Sequence, residues 1–536
     1  MENQDMSARQ NVFASPVKIE VQKVGSIGIV QDQQQHGLPA ATWTAGKNIR
    51  FLNSSASRIE GHSQIFSTPT VTPYAVFNVP GVADQTFWFY FSLAKAYVVE
   101  SGVHNNVTRA AGDYTITEGR TWTNCILGGI PIFNNGTDKP QYWSALSVSQ
   151  ALQDLSNWPT NTRARVIRNF GSYLIAMNLT ESGTNKPHKV LTSHKADPGA
   201  LPSSWDETDA TKDATTFELT DIKGGELMDG LGLGSQFIFY KKNSTHLMRF
   251  VGGQDIWSKD RLFEDSGILN TRCVCAFNKG TMHFVVTQND IIKHSGTPGG
   301  VESVVEGKNK EAIFAEMDST YYLNSFVVHN EKKKECWFVY PTTGNTIPNK
   351  AFIYNYVNKS HSFRDMDALG ADFGVVSDTS GTQWNSSTST WDTITGPWQA
   401  AGREAILFAS PGDIKLFKLD DGLAFGTATP LAFLERTDLV YESDHIKFGT
   451  KVLITRIWPK LVGNGKWTIR VGASEYEQGP VTWSNSVLFD PTLGVPYMDV
   501  TPPISGRLPA VRFEQQENVA STLHGYDLRV SPLGEF

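Results

Sequence analysis

"RARVIRNFGSYLIAMNLTES", residues 163–182, consists of two apolar runs on either side of a short Asn-Phe-Gly-Ser turn. Each run is the length of a strand, and a Gly-containing turn between two such runs reads as a β-hairpin. The same shape returns in "GGELMDGLGLGSQFIFYKKNSTHLMRF" (224–250) and "TRCVCAFNKGTMHFVVTQNDIIKHSG" (271–296). It returns again in 324–365 and in "AILFASPGDIKLFKLDDG" (405–422). Upstream, "YAVFNV" (74–79), "TFWFYFSLAKAYVVES" (86–101) and "CILGGIPIFNNGTDKPQYW" (125–143) keep the rhythm. Hairpins spaced by about 45 to 80 residues approach the length of one propeller blade. A four-stranded sheet cannot bury both faces alone, whereas radial stacking gives each face a neighbour and leaves only short edges. The chain is therefore expected to be all-β, with a β-propeller-like repeat of about six blades, six or seven being compatible with the spacing.

An α-solenoid is the rival repeat architecture, but the apolar residues alternate or come in short bursts without a 3.6-residue period. One segment alone, "SALSVSQALQDLSNW" (144–158), has a helix-like pattern. After Pro430 the texture changes to well-separated strands of alternating polarity, among them "KVLITRIWPKLVG", "KWTIRVGASEYE" and "GYDLRVSPLGEF". These predict a C-terminal antiparallel β-sandwich. The expected division is an N-terminal arm over 1–45, a propeller over 46–425 and the sandwich over 430–536.

Composition supports strands. Charged residues are 19% of the chain, against a usual value of about 25%, and aromatics reach 11%. Aromatic and β-branched side chains fit a pleated, half-buried surface. The net charge of −7 argues against gripping nucleic acid by phosphate neutralisation. It is compatible with a wall past which DNA slides, because like charges repel. The start "MENQDMSARQN" is polar and has no secretory pattern, and no run approaches the length of a membrane-spanning helix. Assembly in a cytoplasm without membrane insertion is expected.

A search for chemistry returns little. Cys273 and Cys275 flank Val274, and "TRCVCAFNKG" offers no further ligands at a metal spacing, so buried structural thiols are expected. His188, His194, His283 and His294 are scattered. The pairs Asp365/Asp367 and Asp420/Asp421 read as solvated turn residues. "GLGLGS" (230–235) precedes a strand, not a helix, and so reads as a turn with no phosphate cradle. "EKKKE" (331–335) reads as a solvated hairpin tip. "SDTSGTQW" (377–384) approaches the recurring turn of sialidase-like propellers only at Gly381 and Trp384. No cofactor, metal or enzymatic activity is expected. The stretch 377–402 carries Trp384, Trp391 and Trp398 in a Ser/Thr/Gly-rich setting and reads as a long loop used for interaction.

The two ends carry a resemblance. "GIVQDQQQHGLPAATWTAGKNIRFLNSSASRIEGH" (28–62) resembles the entry segment of tail nozzle (tail tubular protein B-like) proteins of short-tailed bacteriophages. The matching residues are Gly28, Asp32, Leu38, Pro39, Asn48, Arg50, Phe51, Arg58 and Gly61. Where a Pro-Gly is usual in that family, Glu60-Gly61-His62 stands here. "LPAVRFEQQENVASTLHGYDLRVSPLGEF" (508–536) is similar to the terminal strands of the same proteins at Arg512, Phe513, Gly525, Tyr526, Asp527 and Gly534.

The resemblance implies a structural virion protein of the tail: a homohexameric ring below the head-to-tail adaptor, a channel for genome ejection, and a docking surface for tail fibres or spikes. Viral DNA would pass without sequence-specific binding. Under this reading Arg50, Phe51, Arg58, Tyr526 and Asp527 serve assembly or docking. The alternative is a receptor- or glycan-binding tail protein using Trp384, Trp391 and Trp398, with a glycan hydrolase the more distant option.

Overall fold

A computed structural model describes residues 16–81, 86–100, 102–116, 120–144, 147–253, 256–376, 403–441 and 449–534. Within them the chain forms seven four-stranded antiparallel units, which we number as blades, the sixth extended by the parallel strands Gly28–Ile29 and Thr42–Trp43. Their innermost strands are Ala75–Pro80, Thr123–Leu127, Thr162–Phe170, Leu227–Leu233, Val274–Phe277, Phe326–Asn330 and Gly370–Val376. The apolar alternation has a direct consequence in packing, since each blade buries both faces against its neighbours. Phe89 of blade 1 meets Phe133 and Trp143 of blade 2 with ring centroids 4.8 and 5.0 Å apart. Val166 and Met177 of blade 3 share a cluster with Phe237 and Phe239 of blade 4. Trp337 and Ile353 of blade 6 pack with Ile406 and Phe408 of blade 7. The ring closes where Val76 and Trp88 of blade 1 join Val376 and Leu407 of blade 7. The propeller is thus established, with seven blades.

Blade 7 draws its outer strand from the other end of the chain. His62–Gln64 pairs antiparallel with Lys415–Leu419, Ser63 lying opposite Lys418. Leading into it, Gly61 packs so tightly on the 422–424 turn that a Cβ there would lie 1.9 Å from the Ala424 carbonyl oxygen. Gly61→Ala is expected to destabilise the fold by about 1–3 kcal/mol through forced backbone movement, seen as a lower urea midpoint.

The strands after residue 430 fall into two antiparallel sheets, and neither is built from that segment alone. In one, Val17–Gln22 and Ser55–Arg58 both pair with Ser521–Gly534. In the other, Ala45–Lys47 pairs with Ala432–Arg436. Ile49–Leu52 and Ser55–Arg58 form an early hairpin. Residues 46–58, expected in the propeller, therefore lie in these C-terminal sheets. Ile454, Leu528 and Tyr526 share one core with Val471, Phe513 and Trp43, and that core runs on into blades 4 to 6. Trp43 meets Phe513 edge-on at 5.9 Å and donates its indole N–H to the Val24 carbonyl at 2.7 Å.

Two local expectations are corrected. The 144–158 segment is not helical where described: Gln153–Asp154 pairs with Gln141–Tyr142. Its helix-like spacing arises because Leu152, Leu155 and Trp158 each anchor into a blade interface. The helix among the described residues is Lys310–Glu316, whose first turn is held by Asp32 accepting from the Glu311 and Ala312 amides at 2.8 and 3.0 Å. "GLGLGS" is mostly strand rather than turn, since Leu227–Leu233 is the inner strand of blade 4. Gly230 is needed because the Phe237 ring lies where its Cβ would be, 2.6 Å away.

Candidate functional site

Residues from all seven inner strands line a common axial cavity, and blades 3, 4, 5 and 7 bring charge to it or beside it. Arg168 of blade 3 makes a bidentate pair with Asp229 of blade 4, both N–O distances being 2.9 Å, and reaches back to the Asn124 carbonyl of blade 2 at 2.9 Å. Burial works against the Arg168 charge, but the Asp229 carboxylate outweighs it and raises the guanidinium pKa. Asp229 also accepts from the backbone amides of Gly230 and Arg272 at 2.8 and 2.9 Å. Asp372 of blade 7 accepts from the amides of Asn78 and Phe373 at 2.8 and 2.9 Å. Burial nevertheless pushes its carboxyl up to about 6. These carboxylates are occupied in tying blade to blade.

Arg272 behaves differently. It precedes the inner strand of blade 5, and its Nη1 donates to Thr121 Oγ1 at 3.1 Å and to the Leu369 carbonyl at 3.3 Å. Those acceptors precede the inner strands of blades 2 and 7, which do not adjoin blade 5, so the side chain crosses the axis. Its guanidinium also lies 5.1 Å from the Phe326 ring centre. Arg272 borders two cavities of about 290 Å³ each, one at the mouth and one between the inner strands. The inner cavity is lined from all seven blades, by Phe77, Asn124, Arg168, Leu231, Cys275 and Asp372 among others, and by Val328.

A second charged cluster sits where the early hairpin meets blades 6 and 7. Arg50 Nε and Nη2 clasp the Glu335 carboxylate at 2.9 and 3.0 Å. Nη2 also donates to Asp420 at 2.9 Å, and Nη1 to Glu60 at 2.6 Å. Burial opposes the Arg50 charge, and Asp420, Glu335 and Glu60 together raise its pKa above the usual value. "EKKKE" is thus only partly a solvated tip: Glu335 is 1% exposed, and Lys333 pairs with Glu60 at 2.5 Å. Asp420, read from sequence as a turn residue in water, is part of the same network.

The five residues expected to serve assembly or docking are all buried within the chain. Arg50 is spent as described. Arg58 donates to the carbonyls of Glu517 and Pro430 at 3.2 and 2.9 Å. Phe51 and Tyr526 lie in the common core. Asp527 pairs with Lys18 at 2.8 Å and with Lys460 at 2.7 Å. These residues weld the ends of one chain together. Trp384, Trp391 and Trp398 lie outside the described residues.

Two thiols read as a matched pair differ in setting. Cys273 is buried, while Cys275 faces the axial cavity. His283 and His294, scattered in sequence, converge on the Tyr240 hydroxyl, each at 2.7 Å. Arg168 and Arg272 carried no motif. The available signal was an arginine beside an otherwise apolar inner strand, in "RARVIRNF" and "TRCVCAF". No group of three or more metal-ligating side chains occurs among the described residues, and no described helix is long and apolar enough to cross a membrane.

No family model and no curated protein matches this chain. Among solved structures it is similar to the WD40 β-propeller domain of Doa1, at 9% identity and TM-score 0.35, over 67% of this chain and 94% of that one. YCF48 bound to D1 peptide aligns at 11% identity and TM-score 0.35, over 68% and 100%. PorZ, a surface component of the type-IX secretion system of Porphyromonas gingivalis, aligns at 8% identity and TM-score 0.33 over 80% of this chain. The chain spans 46% of the length of PorZ.

Proposed function

We propose that this chain is a structural subunit of a phage tail nozzle. Six copies would form a ring below the head-to-tail adaptor, with the genome leaving through the lumen between copies and tail fibres or spikes docking outside. The observation that carries this reading is the joining of the two segments that resemble nozzle proteins, 28–62 and 508–536. Ala56 and Ser57 pair with Leu523 and Thr522, and Phe51, Phe513 and Tyr526 share a core. A resemblance split between chain termini gains weight when both pieces build one platform.

The propeller axis does not serve as the DNA path in this reading. Arg272 crosses it, and cavities of about 290 Å³ take a small molecule, not a duplex. A net charge of −7 suits a lumen that releases phosphates rather than holding them. The chain is read as non-catalytic, assembled in the host cytoplasm and carried in the virion tail.

Deleting residues 1–62 is a poor test, since it removes strands from blade 6, blade 7 and both C-terminal sheets. Electron microscopy of assembled tails labelled with an antibody to this chain is the better one. Label on a sixfold collar on the tail axis is the expected result. Label confined to peripheral appendages would replace the nozzle with a receptor-binding role.

A further inference from the structure

The mouth cavity differs from the rest of the axis in its charge. Two arginines line it, Arg120 and Arg272, and among the described residues no aspartate or glutamate does. Some interior arginines have carboxylate partners within salt-bridge distance, as Arg168 has Asp229, Arg50 has three and Arg165 has Glu226 at 2.9 Å, while Arg58, Arg364 and Arg436 are held by carbonyls or by His62. Arg272 has only a hydroxyl, a carbonyl and an aromatic face. Arg120 Nη1 is buried without a hydrogen-bond partner. A cation withdrawn from water is costly unless an anion faces it.

Two further features mark the place. Ser325 lines the same cavity, is 2% exposed, and its hydroxyl has no partner. Buried hydroxyls are ordinarily hydrogen-bonded, so a vacant one beside two cations is a donor awaiting an acceptor. Arg272 also holds a left-handed backbone, φ +72°, which an L side chain adopts at a cost and which Asp229 fixes by accepting its amide. The conformation aims the guanidinium across the axis instead of along its own blade.

From this geometry we infer that the mouth of the propeller axis is a binding site for a small oxyanion-bearing molecule. Arg272 and Arg120 supply the charge, Ser325 Oγ–H donates a third hydrogen bond, and Tyr74, Trp122 and Tyr321 wall an apolar body. Guanidinium pairs well with carboxylate and phosphate, the two chemistries that satisfy the site. At about 290 Å³ the cavity is near the lower size of small-molecule pockets. Burial brings the Arg272 pKa down to about 10, which leaves it charged at neutral pH. This inference does not depend on the nozzle reading.

The test is equilibrium dialysis of the full chain against radiolabelled inorganic phosphate, and separately acetate, at constant ionic strength. Saturable binding of one anion per chain is expected. Arg272→Gln and Arg120→Gln should each weaken it at least tenfold, while Arg456→Gln, at an exposed pair with Asp499, should leave it unchanged. Arg120 has no hydrogen bond from its Nη1 to lose, so its variant keeps the test informative should Arg272→Gln fold poorly. Phosphate binding alone would identify a phosphoryl ligand, and acetate binding alone a carboxylate. Absence of saturable binding of either probe at about 10 mM would overturn the site. So would binding that both arginine variants retain.

Discussion

Replacing Arg50 with methionine is expected to destabilise the protein by about 3–5 kcal/mol, the usual loss when one member of a buried ion network is removed. The reason lies in what remains. Glu335, with 2% of its side chain exposed, and Asp420, with 13%, would face each other without the guanidinium that bridges them. Glu335 would retain only the Trp337 indole N–H at 3.0 Å, and Asp420 the Asn330 amide at 2.9 Å. Burial already raises the Glu335 pKa with Arg50 in place, so in the variant the carboxyl should take up a proton readily. The deficit should therefore be largest near pH 8 and shrink toward pH 5, where neutral carboxyls relieve the repulsion. Urea midpoints of wild type and Arg50→Met at both pH values test this. A deficit below about 1 kcal/mol, independent of pH, is what an exposed pair would give and would contradict the network's importance.

Acidification is expected to unfold the wild type steeply below pH 6.5 through four buried neutral histidines. Burial, the largest cause in each case, lowers His62, His294 and His361 to about 3 and His283 to about 4. The hydrogen bonds specify the neutral forms. His294 Nδ1 accepts from the Gly296 amide, so its Nε2–H donates to Tyr240. The Tyr240 hydroxyl then donates to His283 Nδ1, and His283 Nε2–H donates to the Gly232 carbonyl. His62 Nδ1 accepts from Arg364, which an imidazolium could not do. A histidine with a depressed folded pKa binds its proton more readily when unfolded, so its contribution is complete above about 6.5 and declines as pH falls toward the folded value. Each histidine contributes a slope of about 1.4 kcal/mol per pH unit in that window. Asp372, raised to about 6, acts in the opposite direction between about 6 and 4 and offsets one of them. The net expectation is about 4 kcal/mol lost per pH unit between pH 6 and 4. Urea midpoints across that range measure it, and His283→Gln should make the dependence shallower by about one proton. A flat profile would show that these histidines titrate normally in the fold.

The propeller was legible because its signal is local. A strand with a period of two, a Gly or Asn turn and a second strand announce a hairpin wherever they occur, and the hairpins recurred at blade spacing. The number of blades was less legible. Blade 7 borrows its fourth strand from His62–Gln64, and blade 2 closes with a strand of only Gln153–Asp154 inside a segment that imitates a helix. The charged site was least legible. Arg272 has no motif around it, and its acceptors Thr121 and Leu369 lie 151 and 97 residues away in sequence.

The sequence by itself determined that the chain is built of strands and that they come in repeated hairpins. Side-chain periodicity alone carries that information, because each strand must turn its apolar residues toward whatever it packs on. Only the tertiary structure decided which strands are neighbours, that both ends of the chain complete the same sheets, and that Arg50 faces inward to Glu335 and Asp420. Ladder hydrogen bonds use the backbone, which is nearly the same at every residue and so names no partner. A buried ion pair is written in the same residues as a solvated one, and the two differ only in whether the folded chain excludes water around them.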